Sequence, residues 1–85
     1  MITSQIITDA IMKWLPGWYE TRDGTQFKGA PVSTIPSILR DAGWRNVSDL
    51  NDDYRLKKLG LMVEEARYVG GARPKRFCQV VVASI

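Results

Sequence analysis

The stretch Leu59-Gly60-Leu61-Met62-Val63 constrains the fold more than any other part of the chain. Ahead of it, apolar residues recur at helical spacing; after it, they recur at strand spacing. A helix that stops at a glycine and runs straight into an extended segment leaves few architectures open. Upstream, residues 49–59 carry Leu50 and Tyr54 on one stripe and Leu56 and Leu59 on another, so the buried face is broad. Asp49, Asp52 and Asp53 crowd the N-terminal end and Lys57 and Lys58 the C-terminal end, as the helix dipole favours. Ser48 is placed to cap this helix, with Val47 as an apolar staple ahead of it. Downstream, residues 61–69 and 77–83 are strand-like. In the first, Leu61, Val63 and then Tyr68 or Val69 alternate imperfectly, which admits a bulge near Glu65 and Ala66. Between the two runs lies Gly70-Gly71-Ala72-Arg73-Pro74-Lys75-Arg76, a turn whose glycines supply positive φ and which is loaded with cations.

The rest of the chain supports this half. Residues 4–15 read as a first helix: Ser4 is a candidate N-cap, and Ile7, Ala10, Ile11 and Trp14 fall on one face. Pro16-Gly17 stops it. Residues 16–33 are the least regular. Asp23-Gly24 is a strong hairpin signal, so a short ribbon from Trp18 to Phe27 fits, and so does an ordered loop. Residues 34–42 read as a second helix, capped by Ser33 or Thr34, with Pro36 in its first turn and Gly43 just past its end.

At 85 residues the chain makes one domain, residues 1–85. It has one cysteine, Cys78, and no histidine, so an internal disulfide is excluded and a single-chain structural zinc site nearly so. A reducing, cytoplasmic setting follows, without a membrane span or a secretory signal. Asp52-Asp53 and Glu64-Glu65 are adjacent pairs whose members point in different directions, so neither makes a joint acid/base site. No catalytic constellation, cofactor motif or small-molecule site emerges, and the chain is not read as an enzyme. The net charge of +3 is modest, but Arg67, Arg73, Lys75 and Arg76 place four positive charges within ten residues with no acid among them. The remainder is close to neutral or slightly negative, so the cations are concentrated where they could neutralise phosphates. The bland alternative is a solvated hairpin whose cations discourage edge pairing.

The order of helix, irregular segment, helix, short turn, helix, strand, basic turn and strand resembles the winged helix-turn-helix superfamily over residues 34–83. The residues that carry the resemblance are the Gly43 turn, the Leu59-Gly60-Leu61 exit and the Gly-rich basic wing. It implies an α+β fold of three helices plus a C-terminal β-hairpin. It also implies binding of double-stranded DNA, with the third helix in or near the major groove and the wing on phosphates or a minor groove. Asn51, Arg55 and Lys58, with Arg45 and Asn46 just ahead, would then meet bases. Arg73, Lys75 and Arg76 would meet phosphates, as would Ser33, Thr34 and Ser37 at the start of helix two, with Lys28 upstream. The role expected is a small transcriptional regulator, or the DNA-targeting domain of a larger phage- or plasmid-like protein, such as one acting at a replication origin. A homodimer on a palindrome fits that role.

Two other readings compete. Winged domains also serve as protein–protein modules, and the acidic start of helix three with Trp18 or Trp44 would then form the contact. A single-strand binder would use the tryptophans as stacking platforms. Trp14 is expected in the core, from its place on the first helix's apolar stripe. Trp18 and Trp44 flank loops, and core cover is the leading assignment for both. Cys78 is expected to be a small buried side chain.

Overall fold

The computed structural model describes residues 1–14, 17–69 and 77–82, with backbone alone for Phe77 and Cys78. The cationic turn with Arg73, Lys75 and Arg76, the helical role of Leu15, the strand role of Ala83 and the burial of the Cys78 side chain all lie outside the described residues.

The chain begins with helix α1, Ser4–Trp14. Its cap is Thr3 rather than Ser4: the Thr3 hydroxyl accepts from the Ile6 amide at 3.3 Å. Ile7 and Ile11 are fully buried, but Trp14, the last helical residue, is 54% exposed. The expectation of a core tryptophan there is overturned, because the buried part of the stripe ends one turn earlier.

Strands β1, Gly17–Thr21, and β2, Gln26–Pro31, then form an antiparallel ribbon from Gly17↔Gly29 to Glu20↔Gln26. The irregular segment is therefore a hairpin, turning at Gly24, whose φ is +90°. A 3-10 turn, Val32–Thr34, leads into helix α2, Ile35–Asp41. Pro36 sits in its first turn, where the missing amide has no intrahelical partner to lose. The helix ends in a Schellman motif. The Gly43 amide donates to Arg40 O and the Trp44 amide to Leu39 O, both at 3.0 Å.

The helix expected over 49–59 is broken in two. Ser48–Asn51 is a 3-10 turn, and helix α3 covers only Asp53–Lys58. Between them Asp52 is extended (φ −107°, ψ 121°), and its carboxylate caps α3 by accepting from the Tyr54 amide at 3.0 Å. Aspartates compete with helical hydrogen bonds and prefer caps, which is why the acidic run starts a helix late rather than filling one. The capping role expected of Ser48 falls to Asp52. Tyr54, expected on a buried stripe, is 68% exposed. The exit is as expected: the Gly60 amide donates to Lys57 O at 3.0 Å and the Leu61 amide to Leu56 O at 3.1 Å, a second Schellman motif.

Strands β3, Met62–Tyr68, and β4, Phe77–Val82, pair in one unbroken register from Met62↔Val82 to Arg67↔Phe77. There is no bulge at Glu65 and Ala66, which face Gln79 and Cys78 directly.

Expectation and structure part most sharply at the sheet. Strand β2 pairs with β4 from Gly29↔Val82 to Pro31↔Val80, and β1 pairs with β3 from Tyr19↔Tyr68 to Thr21↔Ala66. The order β1-β2-β4-β3 returns to β1, so the four strands close into a small antiparallel barrel. A wing is a hairpin with an open edge; here β3 and β4 each have a neighbour on both sides. The winged helix-turn-helix architecture is therefore overturned. What stands is an α+β chain with three α-helices among the described residues.

Alternation along β4 serves two cores. Val81 faces the helical core, where Ile7, Ile11, Ile35, Leu39 and Leu56 are fully buried. Val80 joins Tyr19 and Ala66 in a second cluster, with Phe27 packed against it. Among the described residues no helix is long and apolar enough to cross a membrane.

Candidate nucleic-acid interface

The residues expected to meet DNA fall into three groups. The first lies on the helical side. Asn46, Arg55 and Lys58 line one cleft of about 310 Å³ with Ile2, Asp49, Leu50 and Leu59. Asn46 reaches it from a left-handed backbone, φ 58°. Arg55 is engaged by Asp49 at 3.2 Å, and the Lys58 ammonium lies 5.5 Å from the centre of the Tyr54 ring. Arg45 and Asn51 are exposed nearby in sequence but do not line the cleft. Over residues 45–58 the cations Arg45, Arg55, Lys57 and Lys58 are nearly balanced by Asp49, Asp52 and Asp53, so this side offers phosphate little net attraction. Helix α3 has six residues, less than two turns, and its N-terminus is taken by the Asp52 carboxylate. The continuous reading helix that the sequence implied is absent here.

The second group lies at the start of helix α2, with Ser37 inside it. Ser33, Thr34 and Ser37 are exposed. No side chain caps α2; the Thr34 hydroxyl instead donates back to Pro31 O at 2.7 Å. The capping expected of Ser33 or Thr34 is thus replaced by a turn closure.

The third group belongs to the barrel. Lys28 on β2 pairs with Trp18 on β1, and its ammonium lies 5.4 Å from the centre of the Trp18 ring. Trp18 precedes the buried Tyr19, so strand alternation turns it to the opposite face, where it is 49% exposed. The core-cover assignment for Trp18 therefore fails in half its surface, whereas Trp44 does pack against the helical core. On the other flank of β1 the Val69 amide donates to Trp18 O at 2.9 Å. That bond ties the start of the β3–β4 connection to Trp18. Beside it, Arg67 donates to the Glu20 carboxylate at 2.9 Å across β1 and β3, a part-buried pair. Tyr68, 59% exposed, meets the edge of Tyr19 with ring centres 5.8 Å apart.

Elsewhere on the barrel, Asp23, Glu64 and Glu65 line a cleft of about 600 Å³ together with Phe27, Met62 and Val82, and Arg22 lines it too. Glu64 and Glu65, adjacent residues of β3, both line it, which their divergence on an ideal strand did not suggest. Hydrogen bonds from the Thr21 hydroxyl and then the Thr25 amide hold the Asp23 carboxyl below the ordinary aspartate range. In sequence, residues 70–76, between β3 and β4, carry Arg73, Lys75 and Arg76. The Trp18–Lys28 pair was not singled out in the sequence. The signal for it was the Trp18-Tyr19 order ahead of an Asp-Gly turn, which puts one aromatic in and one out once the segment is a strand.

No protein-family model matches the chain, and no curated protein or solved structure matches it either.

Proposed function

We propose that the protein binds DNA through the barrel end from which the 70–76 connection departs, with backbone phosphates as the principal contact. One observation carries this reading. The chain has 12 basic and 9 acidic residues, and Arg73, Lys75 and Arg76 account for the whole difference. The excess is therefore not smeared over the surface. It sits in one connection, joining two strands of a six-pair ladder, whose root is tied to Trp18 and neighbours Lys28. A cationic segment on a rigid ladder supports counterion release from a polyanion. The helical side, close to neutral over residues 45–58 and with only six residues in α3, supports only a secondary contact. A regulatory or DNA-targeting role is compatible with this placement, with phosphate contact supplying most of the affinity.

The test is fluorescence anisotropy of labelled duplex at several salt concentrations, wild type against the Arg73→Ala/Lys75→Ala/Arg76→Ala variant. Affinity should fall steeply with salt, at about 0.9 log units per phosphate contact, and the variant should lose up to about three units of that slope. A variant that binds as wild type does would reject the reading.

A further inference from the structure

The surface around Trp18 does more than hold phosphates. We infer that Trp18 and Lys28 form a stacking site for an unpaired nucleotide, so that the barrel end prefers single-stranded nucleic acid over duplex. This rests on the nucleic-acid reading above and deepens it.

Trp18 lies in the middle of three paired strands. Lys28 faces it from β2, and Val69 is bonded to it from the β3 side. A ring held on a paired sheet has few backbone states to lose on binding, and half of this one is open to solvent. The Lys28 ammonium, 5.4 Å from the ring centre, is within the range of a cation–π contact. Among the described residues Lys28 makes no ion pair, whereas Arg67 on β3 is paired with Glu20. The lysine is therefore the charge ready for a new partner. A base that takes the ring face releases the ammonium to that nucleotide's phosphate, and aromatic and cation act on one residue of the ligand. Duplex DNA cannot use this site, because its bases cover one another's faces. Unpaired bases can, and stacking accepts any of the four.

The experiment uses the full chain with labelled oligothymidylate, oligouridylate and a random duplex, read by anisotropy and by tryptophan emission at low salt. Wild type should bind the single strands more tightly than the duplex, with saturable quenching of emission. Trp18→Leu should weaken single-strand binding by about tenfold or more and remove the quenching, while duplex binding falls by much less. Trp18→Phe, which keeps a smaller ring on the same strand, should fall between the two, which separates lost stacking from a lost fold. Equal effects on the two single strands, which differ in the base C5 methyl and the sugar 2′-hydroxyl, assign the site to the base face they share. If Trp18→Leu binds single strands as wild type does, or loses single strand and duplex alike, the stacking site is refuted while DNA binding stands. If neither single strand nor duplex binds wild type, both readings fall together.

Discussion

Gly29 on β2 lies so close to Val81 on β4 that a β-carbon at residue 29 would stand 2.1 Å from the Val81 carbonyl oxygen. The obstacle is backbone, so no rotamer change relieves it. Gly29 is thus the point at which the ribbon of β1 and β2 seats on the β3–β4 hairpin. Gly29→Ala should push the two strands apart and cost at least about 3 kcal/mol, the upper part of the usual range for overpacking. Urea unfolding of the two proteins measures it. A change within about 0.5 kcal/mol would mean that this contact does not hold the barrel closed.

The bond from the Leu61 amide to Leu56 O depends on a different property of a glycine. Gly60 has φ +95°, and a β-carbon there would meet nothing within 4 Å. Gly60→Ala therefore isolates the backbone cost of the left-handed conformation, about 1–2 kcal/mol. Gly60→Asn should cost less, because asparagine visits that region more readily. The order of the two midpoints in urea is the readout; equal midpoints would show that space rather than φ sets the cost.

These two glycines mark what could and could not be read from the chain. The helix exit at Gly60 is local, written in the spacing of Leu56, Leu59 and Leu61, and it stands where expected. So does the pairing of β3 with β4, which follows from apolar alternation and turn residues. The closure does not. Strand β1 offers a single buried residue, Tyr19, in five positions, too little alternation to declare a strand. Its pairing with β3 joins residues far apart in sequence, as between Glu20 and Arg67, and no local period encodes it. Gly29 gave no sign of its role either, since the atom it avoids is on another strand. The split of the third helix at Asp52 was visible only as an acidic run, which a helix dipole and a cap both explain. The candidate site follows the same division. The cationic connection was plain as composition, whereas Trp18 and Lys28 meet only because β1 and β2 are strands.

The Asp23 turn gives a pH dependence whose sign is fixed. Its folded carboxyl titrates below the ordinary aspartate range because the Thr21 hydroxyl, and then the Thr25 amide, favour the charged form. A depressed folded pKa adds stability that is complete above the unfolded pKa and disappears as pH falls through the folded one. Wild type should therefore exceed Asp23→Ala in stability at neutral pH, and the gap should narrow on acidification. Unfolding in urea from neutral to acid pH follows that gap. A gap that is constant or widens in acid would contradict the hydrogen bonds around Asp23.

The helical cleft separates the two sides of the molecule as binding surfaces. Arg55 and Lys58 line it, but Arg55 is held by Asp49 in an exposed pair, and Asp52 and Asp53 lie close in sequence. Removing Arg55 leaves Asp49 unopposed, so its effect on a polyanion would come through the net field rather than a lost contact. Exposed pairs of this kind contribute only about 0.2–1 kcal/mol to folding, so Arg55→Ala/Lys58→Ala should remain folded and give a clean comparison. If the barrel end holds the phosphates, this double variant should change the salt slope for duplex by less than about one unit, against about three for the variant of the 70–76 connection. If helix α3 instead reads bases, the double variant should lose about two units and flatten discrimination between duplex sequences. Salt titrations of both variants on the same pair of duplexes decide which side of the molecule faces DNA.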